Sequence, residues 1–468
     1  MFPQVFRRHA LILALALAWP LCATAQATKN GSPAETSSTP PVPSGETVTP
    51  PEDARPGAAP GRTVKPQAAP AAGTPFQWGS FLVYPEIDVT YFYDDNVYYL
   101  NSSPLSDHAW VLSPALWVQS NWAQHALNFY AAVDSTQYQR YETENTDDYR
   151  VSAEGRYDIS ANTNVYGGAR YSQDHEDRES PEARNGLLPT RYWQYRYYGG
   201  FFHQIDRLSI RIAGTANKLN YDDVPFLTGG GGIQIINNDD RDRWQYTGGV
   251  RLGYEVSPRF EPYLQLAVDN RKYNELADQT DASVPPAPQY EKSSKGQRYL
   301  AGIKWNVPRT VKLDAFAGLL KQNFDDPRFS DISKPVFGGA LLWAITADTR
   351  LSAYLDRTLE ETAVTYTPAP NDVRLASSYL NTYASAGVNH RLTQAWSLRA
   401  DLSKSEVDYQ NIDRTDDYYG ATFGVGYRLH PNVFLDLSYS YRKLDSSIPG
   451  EDFKKRMTLM RVAIPFSH

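Results

Sequence analysis

The clearest absence in this 468-residue sequence is a long apolar run. Beyond the N-terminus no run approaches the roughly 18 apolar residues that a membrane-spanning helix needs. Only 41% of the residues are apolar, and the mean hydropathy is -0.53. These values exclude a helical membrane protein. They do not exclude a membrane β-barrel, because only every second residue of its strands faces lipid.

Cysteine is almost absent as well, since Cys22 is the only one. It lies in a segment typical of a signal peptide: basic residues at 7–9 precede an apolar stretch from Ala10 to Leu21 and a small-residue cleavage site at 23–25. We therefore predict residues 1–25 as a signal peptide. The exported chain then has no cysteine for disulfides, thiolate metal sites or nucleophilic catalysis.

Positive charge is not in excess, because 46 Lys and Arg stand against 53 Asp and Glu. We therefore expect no nucleic-acid partner. Catalytic patterns are also missing. The only dense cluster of histidine and carboxylates, 174–177, lies at a predicted strand end, where we interpret it as solvated charge. The sequence thus predicts no enzyme activity, no catalytic residues, no cofactor and no metal site.

What the sequence does contain is a regular alternation of apolar and polar residues in short runs, from about Phe81 to Phe466. A period of two is typical of a strand with two different faces. The connections are alternately very short, as at Pro308-Arg309, and long, as at 274–295. Membrane β-barrels have this asymmetry, with short periplasmic turns and long outer loops. We predict an all-β fold, a transmembrane antiparallel up-and-down β-barrel of about 18 strands, with 16 as the alternative.

The segment that precedes the barrel has a different composition. Residues 26–78 are rich in Pro, Ala and Thr, as in Pro40-Pro41-Val42-Pro43. Such a segment cannot bury enough apolar surface to offset the entropy lost on ordering. We predict a disordered periplasmic tether over 26–78 and the outer-membrane barrel over 79–468. The tether is either a spacer or a means of recruiting a periplasmic partner.

The alternation also assigns faces, with apolar residues toward lipid and polar residues toward the lumen. The positions of the tryptophans support this assignment. Trp305, Trp343 and Trp396 lie close to short turns, and Trp193 and Trp244 lie close to long loops, as in the aromatic belts of membrane proteins. A loop such as 220–241 or 274–295 could fold inward and narrow the bore.

Charged residues on the polar face are the candidate pore lining. Opposite charges can pair across neighbouring strands and stiffen the wall, and the others would filter what passes. The candidates are Arg156, Arg170, Arg211, Arg251, Glu255, Asp269, Arg271, Asp314, Arg350, Asp356, Arg399, Asp401 and Arg428.

The first strand carries a recognisable signature. Tyr91-Phe92-Tyr93-Asp94-Asp95-Asn96-Val97-Tyr98-Tyr99, after Val83-Tyr84-Pro85-Glu86-Ile87, resembles the start of an outer-membrane β-barrel porin family associated with exopolysaccharide and capsule export gene clusters. Within it, the residues 94–96 favour a turn, with a cation or sugar site as the alternative.

The resemblance implies a channel of the bacterial outer membrane for secretion of an exopolysaccharide or capsular polysaccharide. The implied partners are outer-membrane lipid, the polysaccharide chain and a periplasmic export or polymerisation partner. We expect a monomeric barrel, because no strand presents an additional apolar interface on its lipid side. Two alternatives stay open: a general or sugar-uptake diffusion porin, and a soluble secreted all-β binding protein.

Overall fold

The computed structural model describes residues 75–183, 186–228, 230–277, 289–369 and 372–466. The predicted signal peptide and the tether up to residue 74 lie outside these residues. No helix in the described ranges is long and apolar enough to span a membrane. The two helical turns are single 3-10 turns, Glu142–Glu144 and Asp239–Arg241.

The described residues form strands that run in chain order as follows: β1 (Phe76–Trp78), β2 (Phe81–Asp94), β3 (Asp107–Ser120), β4 (Ala126–Tyr138), β5 (Thr146–Ser160), β6 (Thr163–His175), β7 (Arg191–Ile205), β8 (Leu208–Tyr221), β9 (Val224–Leu227), β10 (Ile233–Ile236), β11 (Arg243–Tyr254), β12 (Phe260–Tyr273), β13 (Ser294–Val307), β14 (Val311–Phe324), β15 (Ile332–Ala344), β16 (Thr349–Glu361), β17 (Thr365–Ala369), β18 (Asp372–Leu375), β19 (Ser378–Arg391), β20 (Trp396–Gln410), β21 (Thr415–His430), β22 (Val433–Ser446) and β23 (Phe453–Pro465).

Eighteen of these strands, β2–β8, β11–β16 and β19–β23, form one closed antiparallel sheet in which successive barrel strands are neighbours. The ring closes where β2 pairs with β23, with Ile87 opposite Ile464. The predicted fold class is therefore confirmed, and the alternative of 16 strands is wrong. The short β1 pairs with the start of β2, so the described fold already includes Phe76–Trp78, at the end of the segment predicted as tether.

The outward face of the sheet is apolar, as the alternation predicts. In β12, Leu264, Leu266 and Val268 are 65%, 46% and 50% exposed, whereas the intervening Gln265 and Ala267 are buried. A continuous exposed apolar band would be unfavourable in water but suits a surface surrounded by lipid.

Aromatic pairs lie on this surface at both ends of the barrel. Near the short turns, Trp396 packs against Tyr427 with ring centroids 4.5 Å apart. Near the long loops, Tyr91 packs against Trp110 at 4.7 Å. Such rings suit the boundary between lipid and water. We call the two ends the short-turn end and the long-loop end.

The wall is interrupted between β15 and β16 at the long-loop end. These strands pair only from Gly338 opposite Asp356 to Ala344 opposite Arg350. Beyond this point β16 stays paired with β19, as far as Glu361 opposite Ser378. The ends of β16 and β19, residues 357–361 and 378–382, thus separate from β15 as a hairpin, which we call the hairpin tip.

The facing of β20 can be tested with neighbouring residues. Leu402 is 60% exposed on the outward face, and Ser403 is the next residue, on the lumen face. We expect Leu402→Arg to destabilise the folded barrel by about 2–4 kcal/mol, because it places a charge in lipid, and the control Ser403→Arg to have little effect. Reversible unfolding in lipid vesicles measures both. Equal losses of stability would contradict the assigned facing.

Candidate functional site

The inner face of β13–β15 is apolar toward the long-loop end, where alternation predicts a polar lumen. Leu300, Leu320 and Val336 lie in one cluster with Leu359 and Leu380 of the hairpin tip. Leu320 and Leu359 are fully buried. The hairpin tip therefore leans into the barrel and packs against the inner wall. The sequence carried a signal for this packing, since adjacent apolar residues such as 319–320 break the alternation, as in sheets that are covered on both faces.

Polar contacts fix the hairpin tip to β12 on the far side of this cluster. Arg271 forms an ion pair with Glu361 and donates a second hydrogen bond to the carbonyl oxygen of Leu359, at 3.1 Å. The Tyr273 hydroxyl donates to Glu361 Oε2 at 2.5 Å. Next to them, the Lys292 ammonium donates to the carbonyl oxygen of Thr362. Because all of these side chains are buried, this group holds the tip in place and is shielded from water.

A second segment, the loop 176–190 between β6 and β7, crosses the lumen. Glu179 forms an ion pair with Arg442 of β22, and Glu182 Oε2 accepts a hydrogen bond from the Ala363 N–H at 2.7 Å. The Tyr409 hydroxyl of β20 donates to the carbonyl oxygen of Pro181 at 3.4 Å. In the ring, β20 lies opposite β7, with eight barrel strands between them on either side. The loop thus reaches the opposite wall. The two loops that the sequence suggested, 220–241 and 274–295, lie partly outside the described residues, at 229 and 278–288, and their folding inward stays a prediction.

The base of this loop is held by ion pairs. They are Arg150–Asp174 at 3.0 Å, His175–Asp148 at 2.9 Å, Arg241–Glu176, and Arg178–Glu144 at 2.6 Å. The interpretation of 174–177 as solvated charge is therefore wrong. Each partner lies far away in sequence, so a local pattern could not reveal the pairs.

A second apolar cluster lies at the long-loop end. The residues of this cluster are buried between the inner wall of β20–β23 and the segments that fold inward. Its members are Ala376, Tyr379, Val407, Tyr409, Ile412, Tyr418, Leu444 and Phe453. We call this cluster, the hairpin tip, the loop 176–190 and the described residues of 362–377 the mouth layer.

The mouth layer contains a titratable group outside the strands. Burial raises the pKa of the Glu179 carboxyl to about 7, with a further contribution from Asp177, while Arg442 acts in the opposite direction. A proton on this carboxyl therefore favours the position that the loop occupies across the lumen.

The short-turn end is different, because charged side chains line a recess in its lumen. A recess of about 650 Å³ is lined there by Arg350, Arg391, Arg428 and Arg461, among other residues. Arg391 pairs with Asp348 at 2.5 Å, and Arg461 with Asp88 at 2.6 Å. Arg350 and Arg428 are exposed, and neither forms an ion pair with any carboxylate of the described chain.

The thirteen candidate lining residues are thus not equivalent. Arg271 and Asp356 are buried at the level of the mouth layer, and the side chain of Asp269 is only 7% exposed. Others take part in contacts along the wall: Arg251–Asp314 at 3.4 Å, Arg156–Asp158 at 2.9 Å, Arg399–Asp401 at 3.1 Å, and Gln204 to Glu255 at 2.9 Å. Arg170 and Arg211 are half-buried, and Arg350 and Arg428 are exposed. Contact with passing solute stays a prediction for all thirteen.

The first-strand signature joins the first and last strands of the barrel. Asp94 is buried and pairs with Lys455 at 2.7 Å. The side-chain amide of Asn96 donates to the carbonyl oxygens of Leu100, at 2.9 Å, and Lys454, at 3.0 Å. These contacts confirm the structural interpretation of 94–96, since they tie the first long loop to β23.

Comparison with known proteins gives one family. The family model described as "Putative beta-barrel porin 2" matches residues 69–466. No curated protein matches the sequence.

Several solved structures are similar at low identity. A ferric enterobactin receptor mutant of Pseudomonas aeruginosa has 9% identity and a TM-score of 0.43, over 82% of this chain and 80% of that one. The copper transporter OprC has 9% identity and a TM-score of 0.47, over 84% and 81%. OpdO of Pseudomonas aeruginosa has 11% identity and a TM-score of 0.41, over 82% and 97%.

The contact between Arg271 and Glu361 can be tested by Arg271→Gln. This variant leaves Glu361 buried without its cation, which we expect to cost about 3–5 kcal/mol and to release the hairpin tip. Single-channel recordings in planar bilayers should then show a larger conductance than the wild type. Lys404→Gln, a control on the outward face, should leave the conductance unchanged. Recovery of the low conductance in Arg271→Gln/Glu361→Gln would support the pair, and an unchanged Arg271→Gln channel would disprove its role.

The raised pKa of Glu179 predicts a dependence of the mouth layer on pH. A carboxyl whose folded pKa lies above its ordinary value of 4.5 stabilises the folded position most below that value, and the contribution falls as pH rises toward 7. We therefore expect channel opening to increase between pH 4.5 and 7 in the wild type. Glu179→Gln should flatten this dependence, and an unaltered pH profile in that variant would exclude Glu179 as its source.

Proposed function

Because the chain belongs to the family of β-barrel porins described above and lies in the bacterial outer membrane, we propose that it secretes an exopolysaccharide or capsular polysaccharide. It is a porin-like channel, and an 18-strand barrel is wide enough to enclose an aqueous path. The alternative of a soluble secreted binding protein is wrong, because the family and the closed, outwardly apolar barrel place the chain in a membrane.

The observation that carries the proposal is the unequal state of the two ends. In outer-membrane barrels the long loops face outside and the short turns face the periplasm. A solute arriving from outside would meet the mouth layer, where Glu179, Glu182 and Tyr409 make contacts across the lumen. A polymer arriving from the periplasm would meet the charged recess. This asymmetry favours outward passage over passive uptake.

The chemistry of the recess favours a polymer with acidic groups. Arg350 and Arg428 present guanidinium groups that no described carboxylate neutralises. Guanidinium binds carboxylate and phosphate through paired hydrogen bonds. The recess also holds the carboxylates of Glu86, Asp348 and Asp436, and Asp348 is paired with Arg391, so the attraction for an acidic group is local to Arg350 and Arg428. Aromatic rings further along the inner face, such as Tyr354 and Tyr383 with centroids 5.9 Å apart, offer surfaces on which sugar rings can stack.

Opening of the mouth layer requires a driving force. The hairpin tip is separated from β15 beyond Gly338, although its β19 residues stay paired with the end of β20. Opening would therefore bend this part of the sheet while the ring lower in the barrel stays paired. A polymer pushed by a periplasmic export or polymerisation partner would supply this force. A general or sugar-uptake porin, the remaining alternative, would need no such partner.

The proposal is tested by deleting the gene in its native host and measuring polymer in the medium and in the periplasm. We expect secreted polymer to fall and periplasmic polymer to accumulate. Complementation with Arg350→Gln/Arg428→Gln should restore secretion only in part. The matched control Arg391→Gln removes an arginine that is already paired at the same end, and it should restore secretion fully.

Two results would contradict the proposal. Unchanged secretion in the deletion strain, together with a fall in small-solute uptake, would identify an uptake porin. Full secretion by the double arginine variant would remove the recess from the transport path.

A further inference from the structure

An unusual group of cations lies on the outward face at the long-loop end, away from the lumen. Lys272, Lys295 and Lys321 are exposed on β12, β13 and β14, and Lys218 is half-buried on β8. Trp244 of β11 lies opposite both Lys218 and Lys272. The group therefore extends across five consecutive strands, and we call it the lysine row.

The spacing within the lysine row is set by strand register. Lys295 pairs with Asn270, two residues from Lys272, and Lys321 pairs with Gln297, two residues from Lys295. Diagonal neighbours of this kind are separated by about 7–8 Å. This is close enough for two lysines to contact one phosphate group, and too close for the charges to be favourable without an anion.

Lys272, Lys295 and Lys321 have no carboxylate partner in the described protein, whereas Lys218 lies near Asp242 and counteracts the rise that burial causes in the pKa of that carboxyl. The outward positions of β8 and β11–β14 hold no Asp or Glu, and none of the four lysines forms an ion pair in the described parts of the chain. Two other outward lysines at the same end are paired, Lys404 with Asp417 at 3.1 Å and Lys443 with Asp445 at 2.5 Å, whereas Lys454 on β23 is a single exposed lysine. Only in the lysine row do several such lysines lie on neighbouring described strands, so we infer that this sector takes its counter-charge from outside the chain.

An apolar groove lies directly beside the lysine row. Gly199, Gly214 and Gly248 are neighbours across β7, β8 and β11 and face outward. The groove has a volume of about 700 Å³, with Tyr197 and Tyr246 among the lining residues and Lys295 at its edge. A cationic row beside an apolar groove is complementary to an amphiphile with an anionic head and hydrocarbon chains.

We propose that this surface binds a phosphorylated lipid of the outer leaflet, with phosphate on the lysine row and an acyl chain in the groove. The long-loop end lies at the level of the outer-leaflet headgroups, where a cationic cluster attracts anionic lipid. A second copy of the chain fits less well, because a two-fold contact through this face would oppose two lysine rows. The proposal is independent of what the channel transports.

The test compares two matched pairs of substitutions in the full-length barrel, with heat-modifiable migration as the check of folding. Lys272→Gln/Lys295→Gln removes the centre of the lysine row, and Lys404→Gln/Lys443→Gln removes two outward lysines that are paired with carboxylates. The probes are neutral-lipid vesicles doped with lipid A, or with lipid A whose phosphates have been removed. We expect the first pair to bind phosphorylated lipid A about tenfold more weakly and the control pair to match the wild type.

A second arm tests the groove. A Cβ on Gly248 would meet no atom closer than Val268 Cγ2 at 4.0 Å, so Gly248→Leu fills the groove without disturbing the wall. It should weaken lipid binding, whereas Ala386→Leu, on the outward face of β19, should not. The proposal is overturned if both lysine pairs bind alike, if dephosphorylated lipid binds as well as the phosphorylated form, or if the wild type is a dimer that the first lysine pair dissociates.

Discussion

The structure depends on closure of the sheet. In lipid no water is available to satisfy the backbone groups of a free strand edge, so β2 and β23 must find each other across almost the whole chain. The pairing of these strands is reinforced by Asp94–Lys455 at 2.7 Å and by Arg461–Asp88 at 2.6 Å. The polar residues 94–96 are therefore understood physically as part of this closure, and a separate ligand site is not needed to explain them.

Closure creates an interior that is shielded from lipid, and its two ends use charge differently. At the long-loop end, Arg271, Glu361 and Tyr273 are buried together, and their mutual contacts offset the cost of removing them from water. At the short-turn end, Arg350 and Arg428 stay hydrated and exposed. Arginine thus has two roles: at the long-loop end it holds the mouth layer in place, and at the short-turn end its positive charge can act on passing solute.

The prediction from sequence succeeded wherever one face of a strand meets lipid and the other meets water. β12 and β20 follow this rule, and so their facing could be read from alternation alone. It failed where a second layer covers the inner wall, as at Leu320 and Val336, because a lumen filled by protein has the polarity of a core. The candidate lining residues Asp269, Arg271 and Asp356 were assigned to the lumen face by alternation, but their burial depends on segments that pack over them.

By itself the sequence determined the β-barrel, its strand count near 18 and the polarity of its outward face, since these follow from a period of two and from local turn chemistry. Only the tertiary structure decided which segments fold inward. The contacts that hold them join residues 90 positions apart, as in Arg271 and Glu361, or 263 apart, as in Glu179 and Arg442. Such pairs are brought together by the closed ring, because the wall opposite a loop is set by strand order and not by any pattern in the loop itself.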